Sequence, residues 1–279
     1  MSGLVLKPHG EDRRRTAATL SETRQGSMDI LSNDETAGMP AAIKVSACVA
    51  TYNGESFIVE QLRSILASAA VDEVIVSDDG STDGTLERVR ALGDPRVRLV
   101  TGPHAGLTRN VESMLKQARG AYIFLADQDD VWLATKVQHH VAELERGAMM
   151  TVSDCMVVDA QLRELAPSYF ALRGSRRGFI RNLLKNHYLG CCMAFRRELL
   201  AAALPFPARP PAHDWWLGMV AEMVGTVSFI RLPLLRYRRH GQNQSSASGR
   251  STASIADRLA RRAHLLTCLA KRWAALRFR

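Results

Sequence analysis

Three carboxylates fall within four residues at Asp127-Gln128-Asp129-Asp130, directly after the apolar run Tyr122–Ala126. Carboxylates this close repel one another unless a cation or strong donors offset the charge. Hard divalent ions such as Mg2+ prefer carboxylate oxygens, usually one or two of them together with substrate phosphates. A cap for a following helix would need one acid here, not three. The cluster therefore reads as a metal and phosphate site.

A second acidic stretch runs Ser77-Asp78-Asp79-Gly80-Ser81-Thr82-Asp83-Gly84. A calcium loop would need glutamate at its twelfth position, where Arg90 stands, so that reading fails. An Asx-turn with a helix cap accounts for Asp83 but not for two acids at a strand end. Asp78 and Asp79 therefore point to a ligand. His213-Asp214-Trp215-Trp216 follows the proline-punctuated stretch Pro205–Pro211. Asp214 there is either a general base in a partly desolvated site or the start of a helix with its aromatics turned inward. His240 and Asn243 lie in a run with Arg236, Arg238 and Arg239, where His240 is structural or faces an anionic diphosphate. Arg109-Asn110 can cap a helix or reach an anionic ligand.

These residues need elements to place them. Lys44–Ala50 reads as a buried strand ending in Thr51-Tyr52-Asn53, and Glu73–Ser77 as one ending in Asp78-Asp79. Strands are also expected at Val97–Thr101, Tyr122–Ala126 and Met149–Val158. Helices fall between them: Phe57 to Leu66, from Thr85 with Asp83 as cap, Leu107–Ala118, and Thr135–Glu145. Such alternation predicts an α/β domain with a mostly parallel sheet and helices on both faces. Ligands of such sheets bind beyond the carboxyl ends of the strands, where the polar residues sit. Further on, Arg173–Lys185 is a basic loop or short helix, Leu189–Phe195 a strand, His213 the start of a helix, and Thr226–Leu232 a late strand.

The ends of the chain differ from its middle. Residues 1–41 read as a loosely attached leader, without a secretory signal. A final helix, Ile255–Phe278, sets Ile255, Leu259, Leu266, Leu269, Trp273 and Leu276 on one stripe. Residues 250–279 carry +7 of the net charge of +9, leaving a near-neutral body that does not describe a nucleic-acid-binding domain. No run approaches the roughly 20 apolar residues of a membrane span. The expected location is cytoplasmic. Cys48, Cys155, Cys191, Cys192 and Cys268 lack zinc-ligand spacing and read as buried free thiols.

VSACVATYNGE (45–55), VIVSDDGSTDGT (74–85), YIFLADQDDVW (122–132), LGCCMAFRR (189–197), HDWW (213–216) and YRRHGQN (237–243) together resemble family 2 glycosyltransferases, inverting enzymes of the GT-A fold. ADQDDVW looks most like the bacterial rhamnosyltransferase-like branch. The resemblance implies a GT-A domain over residues 42–245, with 246–279 as a basic C-terminal helix. It implies that Thr51, Tyr52, Asn53, Asp79, Arg109, Asp127 and His240 bind a nucleotide-sugar donor, Asp79 reading the imide of uracil or thymine. Asp127 and Asp129 correspond to the DxD motif; Asp129, Asp127 and His240 would hold Mn2+ or Mg2+. Asp214 falls at the catalytic base. The acceptor would be a glycan or lipid-linked glycan, and the basic tail would either dock on an anionic membrane or pack on the domain's own flank.

Rival readings are weaker. A dinucleotide-binding oxidoreductase needs GxGxxG where this chain has Thr51-Tyr52-Asn53-Gly54-Glu55-Ser56. A nucleotidyltransferase usually carries a glycine-rich basic phosphate loop there. A non-catalytic protein of the same fold would have no need of Asp129 and Asp214.

Overall fold

In a computed structural model, which describes residues 44–241 and 254–278, β1 (Val45–Thr51) is buried at all seven positions. That is why its sequence is a continuous run of small and apolar residues rather than an alternation. β2 (Glu73–Asp78) is equally buried, and β4 (Tyr122–Asp127) nearly so. With β3 (Val97–Thr101) these strands are all parallel, in the order β3-β2-β1-β4. Thr51 lies opposite Asp78, and Ala50 opposite Asp127, so the three polar strand ends come level. The helices α1 (Ile58–Leu66), α2 (Thr85–Arg90) and α3 (Leu107–Leu115) make the crossovers.

Beyond β4 the sheet becomes mixed. β5 (Val131–Trp132), α4 (Lys136–Glu145), β6 (Met150–Val158) and β7 (Glu164–Ala166) follow, then α5 (Tyr169–Arg173) and α6 (Phe179–Leu184). β8 (Met193–Arg196) inserts antiparallel between β4 and β6, so β6 runs in the same direction as β4. α7 (Leu199–Ala203), α8 (His213–Val224) and β9 (Val227–Arg238) complete the body, with β9 parallel to β6 and antiparallel to β5.

Several expectations change. The run Leu189–Phe195 begins as a 3-10 turn, Gly190–Cys192, before the strand. The late strand does not stop at Leu232 but continues through Pro233 to Arg238, with a register shift between Ser153 and Asp154 of β6. Asp83 sits one residue before the N-cap Gly84 and accepts from the Thr85 and Glu55 amides. All five cysteines are free and buried, as expected. The leader 1–41 and Asn243 lie outside the described residues.

The final helix, α9 (Ile255–Arg277), packs against α8. Its buried face is Leu265, Cys268 and Leu269; of the expected stripe Leu269 is buried and Leu276 partly so, while Ile255, Leu259, Leu266 and Trp273 remain exposed. Polar contacts reinforce the seat: Arg272 donates to the Leu204 carbonyl at 2.8 Å and stacks over Trp216. Among the described residues no helix is long and apolar enough to cross a membrane.

The opposite end of the sheet from the acidic strand tips is held by Glu73. Its buried carboxylate accepts from Ser46 Oγ at 2.6 Å and Arg119 Nε at 2.8 Å. Burial pushes its pKa up, but the Ser46 and Arg119 hydrogen bonds outweigh that and hold it low. Its stabilisation is therefore complete above the unfolded value of about 4.3 and is lost as pH falls through the lower folded value. Glu73→Gln is expected to cost about 2 kcal/mol at neutral pH, a moderate figure because Arg98 and Arg119 are partly solvated. Denaturant titrations should show the gap between wild type and variant narrowing in acid.

Candidate active site

The pocket is built on the carboxyl ends of β1, β2 and β4. At the end of β1, Thr51 Oγ1 and the Tyr52 amide both donate to Gln128 Oε1, at 2.6 and 2.8 Å. Gln128 Nε2 returns a bond to the Tyr52 carbonyl at 3.1 Å. Gln128 thus locks the DQDD turn to the first strand. Gly54 is required for this approach, because a Cβ there would lie 2.3 Å from Gln128 Oε1. Asn53 has φ 48° and accepts the Thr82 amide at 2.9 Å, tying this turn to the second acidic stretch.

The two acids of that stretch divide their work. Asp78 accepts from the Gly80 and Ser81 amides and from Ser81 Oγ, so it shapes the loop. Asp79 accepts the Gly106 amide at 2.8 Å and the Ala105 amide at 3.3 Å, fastening the loop ahead of α3. A carboxylate offers about four lone-pair sites, so Asp79 retains acceptor capacity beside these bonds.

At the centre, His240 Nε2 lies 2.8 Å from Asp129 Oδ2, with its ring stacked on Phe57 at 4.6 Å. One oxygen of Asp130 accepts the Arg238 amide, while the other is buried with no N–H or O–H donor on it. Donor atoms of Asp127, Asp130 and Cys191 all lie within 4.8 Å of one another. Burial, then the charges of Asp129 and Asp214, push the Asp127 carboxyl up to about 7. Burial and the same crowding, from Asp129 and Asp127, push Asp130 up as well. That trio is two carboxylates and a thiol, with the Asp129–His240 pair outside it, and a divalent cation is what would relieve such crowding.

Asp214 opens α8, with Oδ1 on the Trp215 amide at 2.6 Å and Oδ2 on Asn186 Nδ2 at 3.2 Å. It is half-buried, and its charge adds to the crowding that raises Asp127. Trp215 donates to the Asn182 carbonyl and Trp216 is buried. The helix start is as expected, with Asp214 in the first turn of α8.

Arg109 goes elsewhere. Its guanidinium meets Glu112 at 2.5 Å and the carbonyls of Pro207 and Ala208 at 2.8 and 2.6 Å, clamping the proline-rich loop rather than facing the acids. Its neighbour Asn110 is buried and bonded to Ser77 in both directions.

The profile of glycosyl transferase family 2 matches residues 46–203, more than half of the chain. The chain belongs to glycosyl transferase family 2. A UDP-Glc:alpha-D-GlcNAc-diphosphoundecaprenol beta-1,3-glucosyltransferase, WfgD of Escherichia coli, is 33% identical over 35% of this chain and 40% of its own length. The dTDP-rhamnosyl transferase RfbG of Shigella flexneri is 26% identical over 72% of this chain and 74% of its own. Family 2 relatives here thus include glucosyl as well as rhamnosyl transferases, and no single branch stands out. The chain spans two fifths of WfgD's length and about three fifths of the TarS structure. That structure, S. aureus TarS 1-349 with UDP-GlcNAc, has a TM-score of 0.59 at 22% identity, covering 76% of this chain and 62% of TarS. At that identity the likeness establishes the fold, a GT-A-type α/β domain with a mixed sheet flanked by helices.

Three residues of this family 2 site escaped the reading of the sequence. Arg238 is buried, donates to the Asp129 and Ala160 carbonyls, pairs with Glu60 and stacks over Phe57. Lys136 is fully buried, with Nζ 3.0 Å from the Cys191 carbonyl and over the Trp132 ring, behind the acids. Gln128 was passed over between two aspartates. The run of arginines at 236–239 was the one signal available for Arg238; a lysine opening a helix offers none.

Proposed function

We propose that this chain is an inverting, metal-dependent glycosyltransferase. It would move a sugar from a UDP- or dTDP-linked donor, dTDP-rhamnose among them, to a hydroxyl of a glycan or lipid-linked glycan in bacterial surface polysaccharide synthesis. The observation that carries this is the convergence of Asp127, Asp129, His240 and Asp214 at the tips of the central strands. The pocket supplies acceptors and one imidazole, a set suited to a divalent ion and a diphosphate.

Thr51, Tyr52, Asn53 and Asp79 would seat the nucleoside, with the free capacity of Asp79 accepting the imide N3–H. Tyr52, exposed beside the strand end, offers a face for a base. Asp129, His240 and Asp127 would hold Mn2+ or Mg2+, with Asp130 behind them. A bound ion supplies charge neutralisation at the leaving diphosphate. Asp214 would take the proton from the acceptor hydroxyl as that oxygen attacks the anomeric carbon from the far side, inverting it. Trp215 and Asn186 orient its two oxygens. The relatives' activities agree with this class of reaction, and the site of action would be the cytoplasmic face of the membrane.

The test is a thermal-shift screen of UDP-, dTDP- and GDP-sugars with Mn2+ or Mg2+. A uridine or thymidine donor should raise the melting temperature only when metal is present. No response to any donor, with or without metal, would remove the proposal. Gly54→Ala should weaken binding of the responding donor by about tenfold, the loss of roughly one hydrogen bond's worth of positioning. Calorimetric Kd values for the two proteins check this, because the added methyl must displace Gln128 from Thr51 and Tyr52.

A further inference from the structure

Between Glu164 and Glu198 the chain carries no acid, yet it holds Arg173, Arg176, Arg177, Arg181 and Lys185. The fold gathers part of this segment into a cleft of about 870 Å3, at the end of the sheet opposite the carboxylates. Arg146, Arg176, Arg177, Arg181 and Arg231 line it. Its one acid, Glu143, is already taken by Arg146 Nη1 at 2.6 Å and Ser228 Oγ at 2.9 Å. Arg176, Arg177, Arg181 and Arg231 have no carboxylate partner among the described residues. Four guanidinium groups left unpaired around a concavity repel one another and attract phosphate, which arginine grips through two parallel N–H bonds.

Apolar side chains stand beside them. Leu172, Ile180 and Leu184 are 63%, 66% and 56% exposed, and Ile180 and Leu184 share one face of α6, a turn around from Arg181. At the end of α6 the Leu184 carbonyl accepts Arg262 Nε of α9 at 2.8 Å. That contact brings up the exposed Ile255 and Leu259 together with Arg258. Exposed leucine and isoleucine interleaved with arginine, with Asp257 as the one acid on this half of α9 and engaged in the capping box with Ser254, is the make-up of a surface that lies in the interface of an anionic bilayer.

We infer that α5, α6 and the first half of α9 form a membrane-docking face, with the arginine cleft receiving the phosphates of anionic lipids. This deepens the lipid-linked acceptor reading above. The same α6 segment touches the candidate base, through Asn186 to Asp214 and the Asn182 carbonyl to Trp215.

The experiment is co-flotation of the full chain with vesicles of phosphatidylcholine alone or mixed with phosphatidylglycerol. Wild type should float with the mixed vesicles, lose that binding in high salt, and ignore phosphatidylcholine. Arg176→Ala/Arg177→Ala/Arg231→Ala should lower the partition coefficient on the order of a hundredfold while its melting temperature holds. Ile180→Ser/Leu184→Ser should lower it less and leave the salt dependence in place. Equal flotation on both vesicle types, no flotation at all, or an arginine variant that floats like wild type would overturn the proposal. So would a thermal shift by inorganic phosphate without vesicle binding, which would make the cleft a site for small anions. Because flotation reads binding, a chain that docks but transfers no sugar would sink the catalytic reading alone.

Discussion

Asp214→Asn is expected to lower turnover by about two to four orders of magnitude, the range a positioned general base contributes. Asparagine keeps the shape and one oxygen for the Trp215 amide, while the bond from Asn186 Nδ2 is lost because the Asn186 oxygen already accepts the Tyr188 amide. What it cannot do is take a proton. Donor affinity should therefore stay near wild type, since the proposed nucleoside contacts at Thr51, Tyr52 and Asp79 lie on other elements. Steady-state kcat at saturating donor, paired with a calorimetric donor Kd, separates the two quantities. A variant with normal kcat and weakened donor binding would move Asp214 from the base to the donor's sugar.

Asp129→Asn is the second large effect. Transfer should fall by about a thousandfold or more, in line with the several kcal/mol a metal supplies to a departing diphosphate. Mn2+ titration followed by electron paramagnetic resonance should show the binding lost or strongly weakened. The fold should not suffer. The Asp129 carbonyl, not its carboxylate, holds Arg238, and removing one charge from Asp127, Asp129 and Asp130 relieves repulsion. The metal-free variant should then melt at the same temperature as metal-free wild type or slightly above it. A clear drop would mean that the Asp129–His240 contact is a structural pair.

The strands that carry the acids were legible because they are buried on both faces, and burial of that kind writes itself as unbroken apolar runs. Their polar ends located the pocket for the same reason. What could not be read depended on partners distant in sequence. Pro233 looks like a strand terminator, yet β9 absorbs it at a register shift and goes on to deliver Arg238 and His240. β5 is two residues long and exists only because β9 passes beside it. Arg109 looked like an anion contact until the loop at 207–208 closed over it from about a hundred residues away. On α9 the expected stripe packs at Leu269 and partly at Leu276, while Ile255, Leu259, Leu266 and Trp273 stay exposed, because spacing names a face without naming its neighbour.

Arg238 also has a consequence for how the protein comes into being. Its guanidinium reaches back to Glu60, 178 positions earlier, while His240 closes on Asp129 across 111 positions. A nascent chain leaving the ribosome therefore carries its strand-tip acids long before the two basic side chains that complete their surroundings. Contacts so far apart in sequence form late and slowly. Half-made copies would expose a crowded anionic mouth with nothing to close it, so competence should arrive abruptly, with the last strand.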